Sequence, residues 1–327
     1  MMEWTDRHCR FFHRLLSPRA RLYTEMVTTG ALLHGDVARH LDFSIEEHPI
    51  ALQLGGSEPS DLAECARLAH RWGYDEVNLN CGCPSPRVQR GAFGACLMAE
   101  PALVRDCVAA MRDAMSLPVT VKHRIGIDRV ESYDFVRDFV GTVGEGGCSV
   151  FIVHARNAWL DGLNPKRNRE VPPLRRDTVA QLKADFPQWT FVVNGGLLER
   201  PHIEHELTRA DGVMLGRVAY HDPWRLIEWE GLAFAHEPQP LPSRDTVELA
   251  MVRYMEHRAT HDGTPWTAIA RHMMGLRLGK PGARRWRQVW SDHRLRALQP
   301  GEVMQRARQA METEAPVAAA FDATVVA

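Results

Sequence analysis

Short apolar runs recur along the chain, separated by amphipathic stretches. They are Leu22-Tyr23-Thr24, Ile50-Ala51-Leu52-Gln53-Leu54, Glu76-Val77-Asn78-Leu79-Asn80, Val119-Thr120-Val121-Lys122, Val150-Phe151-Ile152-Val153-His154, Phe191-Val192-Val193-Asn194 and Gly212-Val213-Met214-Leu215-Gly216. Their length and largely β-branched content read as strands buried on both faces. Between them, residues 60–72 carry Leu62, Cys65, Ala66, Leu68 and Ala69 at helical spacing. Residues 100–115, 133–143 and 178–186 repeat the pattern, with Pro101 suited to a first helical turn. Such alternation predicts a parallel sheet with helices outside it.

An open doubly wound sheet and a closed (β/α)8 TIM barrel both satisfy this pattern. No G-x-G-x-x-G follows an early strand, which weakens the first. Polar residues end many different strands (Gln53, Asn80, Lys122, His154, Asn194, Arg217), where a barrel builds its site. The barrel is therefore predicted. Only seven strands are legible, and residues 7–16 before the first already read as helix. The eighth strand is expected before Met1, with the record starting just after it and leaving an unpaired seam.

Beyond residue 223 the pattern changes. Glu237-Pro238-Gln239-Pro240-Leu241-Pro242 reads as a linker, and residues 245–257 and 265–274 as helices. The expected organisation is a catalytic barrel over 1–235, a small helical domain over 243–310 and a loose tail over 311–327.

Composition narrows the function classes. With 40 Lys+Arg, 41 Asp+Glu and a net charge of -1, the 327-residue chain is not basic all over. Yet residues 271–300 hold Arg271, Arg277, Lys280, Arg284, Arg285, Arg287, Arg294 and Arg296 against Asp292 alone, a charge run that reads either as a solvated face or as a contact for nucleic-acid phosphates. There Arg284 and Arg287 share one helical face, and Trp286 and Trp290 share another that should pack inward. No run reaches 18 apolar residues, and the first residues are too polar for a signal peptide. Seven irregularly spaced cysteines fit neither a disulfide framework nor zinc, so free thiols in a cytoplasmic protein and no metal are expected.

The candidate chemistry sits at the strand ends. Cys83 follows a strand in the loop Asn80-Cys81-Gly82-Cys83-Pro84-Ser85-Pro86, where a thiol can act as nucleophile or proton donor. Lys122 and His154 end two further strands and suit an anionic or electron-rich ring. Asn194-Gly195-Gly196 and Gly216-Arg217 follow the last two strands, where barrels commonly hold phosphate. His34 and Asp36 read as an ordinary loop, and Glu46-Glu47-His48 as a solvated turn. P-loop, zincin and serine-hydrolase motifs are absent.

The opening Met1-Met2-Glu3-Trp4-Thr5-Asp6-Arg7-His8-Cys9-Arg10, together with Tyr23-Thr24-Glu25-Met26, Asn78-Leu79-Asn80-Cys81-Gly82-Cys83-Pro84-Ser85 and Asn194-Gly195-Gly196, closely resembles the tRNA-dihydrouridine synthases. Within them it resembles the A-type bacterial branch, which modifies positions 20 and 20a of the D-loop. The likeness runs to about Arg296. It implies an FMN-containing barrel that uses NADPH to reduce uridine in tRNA, acting as a monomer. By this resemblance Met1, Met2, Gln53, Lys122 and His154 contact the flavin, while Asn194, Gly195, Gly196, Gly216 and Arg217 hold its phosphate end. Cys83 matches the acid that protonates C5 of uracil as hydride reaches C6, and Asn80 matches a residue near the target base. Lys166, Arg169, Arg284 and Arg287 fall at tRNA contacts. Two other readings fit parts of the same sequence: a flavin barrel reducing a small pyrimidine or enone, and a non-enzymatic RNA-binding protein.

Overall fold

A computed structural model describes residues 2–130, 132–234, 236 and 240–312. The chain divides into two compact units, Met1–Tyr220 with Arg225–Pro238, and His221–Trp224 with Gln239–Ala327. Glu237, Pro238 and Gln239 of the expected linker lie outside the described residues, as do 313–327 of the expected tail.

In the first unit, strands β1 (Leu22–Thr28), β2 (Ile50–Gly55), β3 (Glu76–Cys81), β4 (Val119–Arg124), β5 (Val150–His154), β6 (Thr190–Asn194) and β7 (Gly212–Met214) form one sheet. All neighbours are parallel and follow chain order. Helices cross over between them, including Pro59–Trp72, Pro101–Ala114, Tyr133–Glu145 and Asp177–Asp185. This is the (β/α) barrel arrangement with the seven strands predicted. Among the described residues no strand joins β7 back to β1.

The register explains where the chemistry goes. Gln53 lies opposite Asn78, Asn78 opposite Thr120, Asn80 opposite Lys122, Arg124 opposite His154, and His154 opposite Asn194. Partners in register share a face, so these residues form one polar row. The other face is Leu52, Leu54, Val77, Leu79, Val121, Phe151, Val153, Phe191 and Val193, all fully buried. His123 falls on that apolar face, its ring 5.1 Å from Phe139 of the helix Tyr133–Glu145. Strands β2 and β3 are buried at every position, as expected of strands buried on both faces. The outward face is apolar, and the inward face becomes polar toward the strand ends. For the same reason β2, β3 and β4 outrun their apolar runs, because ladder hydrogen bonds do not depend on side-chain polarity.

Two loop readings also change. Glu47 is no solvated turn residue. It is fully buried, accepts from Arg10 Nε at 2.5 Å and from Ser44 N at 2.7 Å, and closes a capping box. Asp36 caps a short helix, Val37–Leu41, where a loop was expected.

The second unit is helical, with Arg244–Asp262, Trp266–Ala270, Ala283–Trp290 and Pro300–Glu312. Met311 and Glu312, expected in the tail, continue the last helix. At its centre the fully buried carboxylate of Glu248 accepts from Arg277 (2.6 Å), Arg308 (2.9 Å), Trp286 Nε1 (2.6 Å) and Trp290 Nε1 (3.2 Å). The basic excess of residues 271–300 thins accordingly. Arg277 pairs inward with Glu248 and Asp245, Arg285 caps the carbonyls of Ala310 and Met311, and Arg294 pairs with Asp292. Lys280, Arg284, Arg287 and Arg296 stay exposed without an ion-pair partner among the described residues.

Removing a carboxylate that satisfies two guanidinium groups and two indoles leaves buried donors and charge unanswered. Glu248→Ala is therefore expected to weaken this unit by about 3 kcal/mol, read as a shift of its unfolding transition in urea.

Candidate active site

The cysteine loop is held from three sides. Asn80 Oδ1 accepts the backbone N–H groups of Gly82 (3.1 Å) and Cys83 (3.0 Å). Arg124 Nε donates to Gly82 O at 3.1 Å, and Ala95 N donates to Cys83 O at 3.0 Å. The turn carrying Ala95 needs glycine just before it. Gly94 has φ +77, and a Cβ there would sit 2.7 Å from Cys83 O. Cys83 itself is half-buried, whereas Cys81, one residue before the glycine, is fully buried and its thiol is pushed well up by burial. Only Cys83 of this pair is reachable.

Cationic groups surround that loop. Lys122, Arg124 and Arg169 each lie close enough to Cys83 to feel charge on its sulfur. Burial, then the neighbouring Arg124, pulls the Lys122 ammonium down to about 8, and no hydrogen-bond partner for it exists among the described residues. Burial likewise brings Arg124 down to about 10. Its NH1 donates to Asn168 O (2.9 Å) and Asn157 O (3.2 Å), so this buried guanidinium is answered by carbonyls and by no carboxylate. His154 is driven well below its ordinary value by burial and then by Arg124 and Lys122, which keeps its ring neutral.

The first of the two glycine loops stands beside His154. Asn194 Nδ2 donates to Met214 O at 2.7 Å, tying the ends of β6 and β7 together. Gly195 (φ +113) passes so close to His154 that a Cβ would lie 2.8 Å from the ring. Arg176 donates to the carbonyls of Gly195 and Gly196. Arg217 pairs with Glu170 at 2.6 Å, and Arg156 and Arg169 feel the Glu170 charge without an ion pair of their own among the described residues.

The sequence-derived candidates therefore separate. Gln53, Asn80, Lys122, His154 and Asn194 share the inward row, and Gly195, Gly196, Gly216 and Arg217 follow its last two strands. Asn80 uses both ends of its amide within the protein, donating to Gln53 Oε1 at 2.9 Å, which suits holding the loop better than touching a base. Lys166 is exposed, but Arg169 is half-buried with an enclosed, unpartnered Nε. Met2 is 61% exposed and Met1 lies outside the described residues. Arg284 and Arg287 belong to the other unit. Arg124, Arg156, Arg176 and Glu170 were not foreseen. Arg124 was within reach, being two residues beyond Lys122 on the same strand and hence on the same face.

The donor set suits FMN. Lys122, the neutral His154 and Gln53 offer donors to a flavin ring, and Gly195, Gly196, Gly216 and the Arg156, Arg176 and Arg217 group suit a phosphate. So many buried or half-buried cations with so few acids call for an anion. Outside the mouth, Pro86, Gln89, Arg90, Leu160, Gly162 and Asn164 line a cleft of about 580 Å³, and Gln89 bridges it by donating to Pro84 O and Leu160 O.

Comparison with known proteins accords with this geometry. The barrel resembles an old yellow enzyme homologue from Zymomonas mobilis (TM-score 0.51, 11% identity, 75% of this chain and 87% of that one). It also resembles morphinone reductase in complex with tetrahydroNAD (TM-score 0.51, 13% identity, 75% and 86%). At such identities the likeness speaks for the fold alone, and that fold is a TIM barrel. Among sequence relatives, the tRNA-dihydrouridine(20/20a) synthase of Pseudomonas putida is 55% identical over 312 residues, covering 95% of this chain and 92% of the relative. That of Vibrio cholerae is 52% identical over 95% and 94%. The dihydrouridine synthase family matches residues 1–315, and the chain belongs to that family.

Proposed function

We propose that the protein reduces uridine to 5,6-dihydrouridine in the D-loop of tRNA, at positions 20 and 20a, with FMN as cofactor and NADPH as reductant. The observation that carries this is the Cys83 loop, fixed at the barrel mouth within the field of Lys122, Arg124 and Arg169. Relatives more than 50% identical over nearly the whole chain carry the same name.

When bound, reduced FMN supplies the hydride for C6 of the uracil. The residues of this chain supply the rest. Cys83 gives the proton to C5, and its sulfur leaves as a thiolate stabilised by the three surrounding cations. Those same cations answer the enolate-like charge that builds toward O4. Asn80, Ala95 and Arg124 keep the thiol in place so that little reorganisation is needed at the moment of transfer. The target base must leave its stack, which a tRNA loop makes easier than a duplex would. Lys166 on the barrel, and Arg284 and Arg287 on the helical unit, are free to meet phosphates. No described helix is long and apolar enough to cross a membrane, and the reaction fits a cytoplasmic monomer.

The direct test is position-resolved mapping of dihydrouridine in tRNA from a strain lacking the gene, before and after complementation. Dihydrouridine absent at 20 and 20a and restored by the gene supports the reading; an unchanged map sinks it. In Cys83→Ala, bound FMN and its reduction by NADPH should persist while tRNA turnover falls roughly 10²- to 10⁴-fold. Arg284→Ala with Arg287→Ala should raise KM for tRNA, leave kcat alone and flatten the logarithmic salt dependence by roughly 1.5. Unchanged kinetics would instead favour a small-molecule substrate.

Lys122 gives a check that needs no substrate. Its ammonium is held at about 8 in the folded protein and titrates near 10.5 when unfolded. The burial penalty is full below about 8, where both states carry the proton, and vanishes above 10.5, where neither does. The flavin-free Lys122→Met variant should therefore melt above the wild type at pH 7, with the gap closing between pH 8 and 10.5.

A further inference from the structure

The inward face of the barrel contains a chain of hydrogen bonds that ends at the cysteine loop and begins at a carboxylate with no part in the chemistry above. Arg21 NH1 donates to Glu76 Oε2 at 2.8 Å. Tyr23 Oη (3.1 Å) and Thr120 Oγ1 (2.6 Å) donate to Glu76 Oε1. With its proton committed there, the Thr120 hydroxyl accepts from Asn78 Nδ2 at 2.8 Å. Asn78 Oδ1 accepts from Gln53 Nε2 (2.9 Å), and Gln53 Oε1 accepts from Asn80 Nδ2 (2.9 Å). That leaves Asn80 Oδ1 facing the N–H groups of Gly82 and Cys83. Every member from Glu76 to Asn80 is buried, so water does not interrupt the sequence.

A primary amide has an accepting end and a donating end, and nothing in its shape decides which points where. Along a buried row, one orientation dictates the next. A carboxylate only accepts, so Glu76 forces Thr120 to donate, and each later amide must follow. Burial and then the Glu76 charge push the Tyr23 phenol well above its ordinary value, which keeps it a donor too.

We infer that Glu76 is a positioning residue for Cys83: its charge sets the direction of the Thr120–Asn78–Gln53–Asn80 row, so that Asn80 presents oxygen to the cysteine loop. The inference rests on the proposed role of Cys83, but the row itself can be tested without tRNA.

Glu76→Gln keeps the shape and breaks the rule. Arg21 demands the new amide's oxygen, which turns its NH2 toward Thr120 and Tyr23. The Thr120 hydroxyl then loses the acceptor for its own proton; giving that proton to Asn78 Oδ1 instead reverses the row, and Asn80 turns an NH2 against the N–H groups of Gly82 and Cys83. Adding Arg21→Met frees the glutamine oxygen to face the two hydroxyls and restores the original direction. A purely structural role for Glu76 predicts the opposite, because removing Arg21 deletes one more hydrogen bond.

The experiment is amide hydrogen exchange on the purified holoenzyme, resolved at Gly82 and Cys83. Glu76→Gln should speed exchange there roughly threefold to tenfold, as expected for one lost hydrogen bond, and leave the β3 and β4 amides as in the wild type. The double variant should return toward wild-type rates. In tRNA turnover, kcat should fall in the single variant and recover in the double. If Glu76→Gln does not fold, Thr120→Val cuts the same row one link on and should accelerate the same two amides. Wild-type exchange at Gly82 and Cys83 in whichever of these variants folds, or equal acceleration in the single and double variants, overturns the inference. Failure of the functional reading would show separately, as a wild-type protein with normal exchange and no uridine reduction.

Discussion

Each parallel strand of this barrel must serve two environments at once. Alternate residues meet either the surrounding helices or the interior, and a shift of one position would exchange the two sets. The outward set, from Leu52 to Val193, is apolar and fully buried. With that face committed, the inward set is free to be polar. Gln53, Asn78, Asn80, Thr120, Lys122, Arg124, His154 and Asn194 are collected into one surface without any loop having to be shaped for them. The outer packing and the inner chemistry are the same register seen from two sides.

That surface is unusual in its charge balance. Buried polar groups are ordinarily satisfied within the protein, and buried charges are paired. Here Lys122 has no described partner, Arg124 has only carbonyls, and Arg169 keeps an enclosed Nε unanswered. Carbonyl acceptors fix where the guanidinium of Arg124 points without neutralising it. The arrangement stores positive potential for ligands that bring negative charge, which both a flavin phosphate and an RNA backbone do.

The strands were legible because largely β-branched runs of three to five residues, punctuated by glycine and proline, have few other uses. Their ends were less so. Arg124, one step past His123 and two past Lys122, looks like the start of a loop until pairing with His154 shows it is still strand. Candidate site residues were legible where a polar side chain terminates an apolar run, as in Gln53, Asn80, Lys122, His154 and Asn194. What escaped were residues whose role depends on a distant partner. Glu47 looks solvated in Glu46-Glu47-His48 until Arg10 is brought to it, and Glu170 gains meaning only beside Arg217. Charge counting along the chain failed similarly. Arg277 and Arg285 are spent on Glu248 and on a helix end, and a tally cannot tell them from Arg284 and Arg287.

The commitment of Trp286 and Trp290 to Glu248 bears on how an RNA would be read. Exposed aromatic rings let a protein stack on individual bases and so sense them. Both indoles of the helix Ala283–Trp290 are turned inward, and its exposed positions are Arg284, Arg287 and Gln288, with no aromatic ring among them. A surface of that kind registers the spacing of phosphates and is indifferent to the letters between them. Under the proposed tRNA contact at Arg284 and Arg287, the choice of nucleotide would fall to the geometry of the folded RNA and to the barrel mouth, and this helix would accept many tRNAs that share an elbow while differing in sequence.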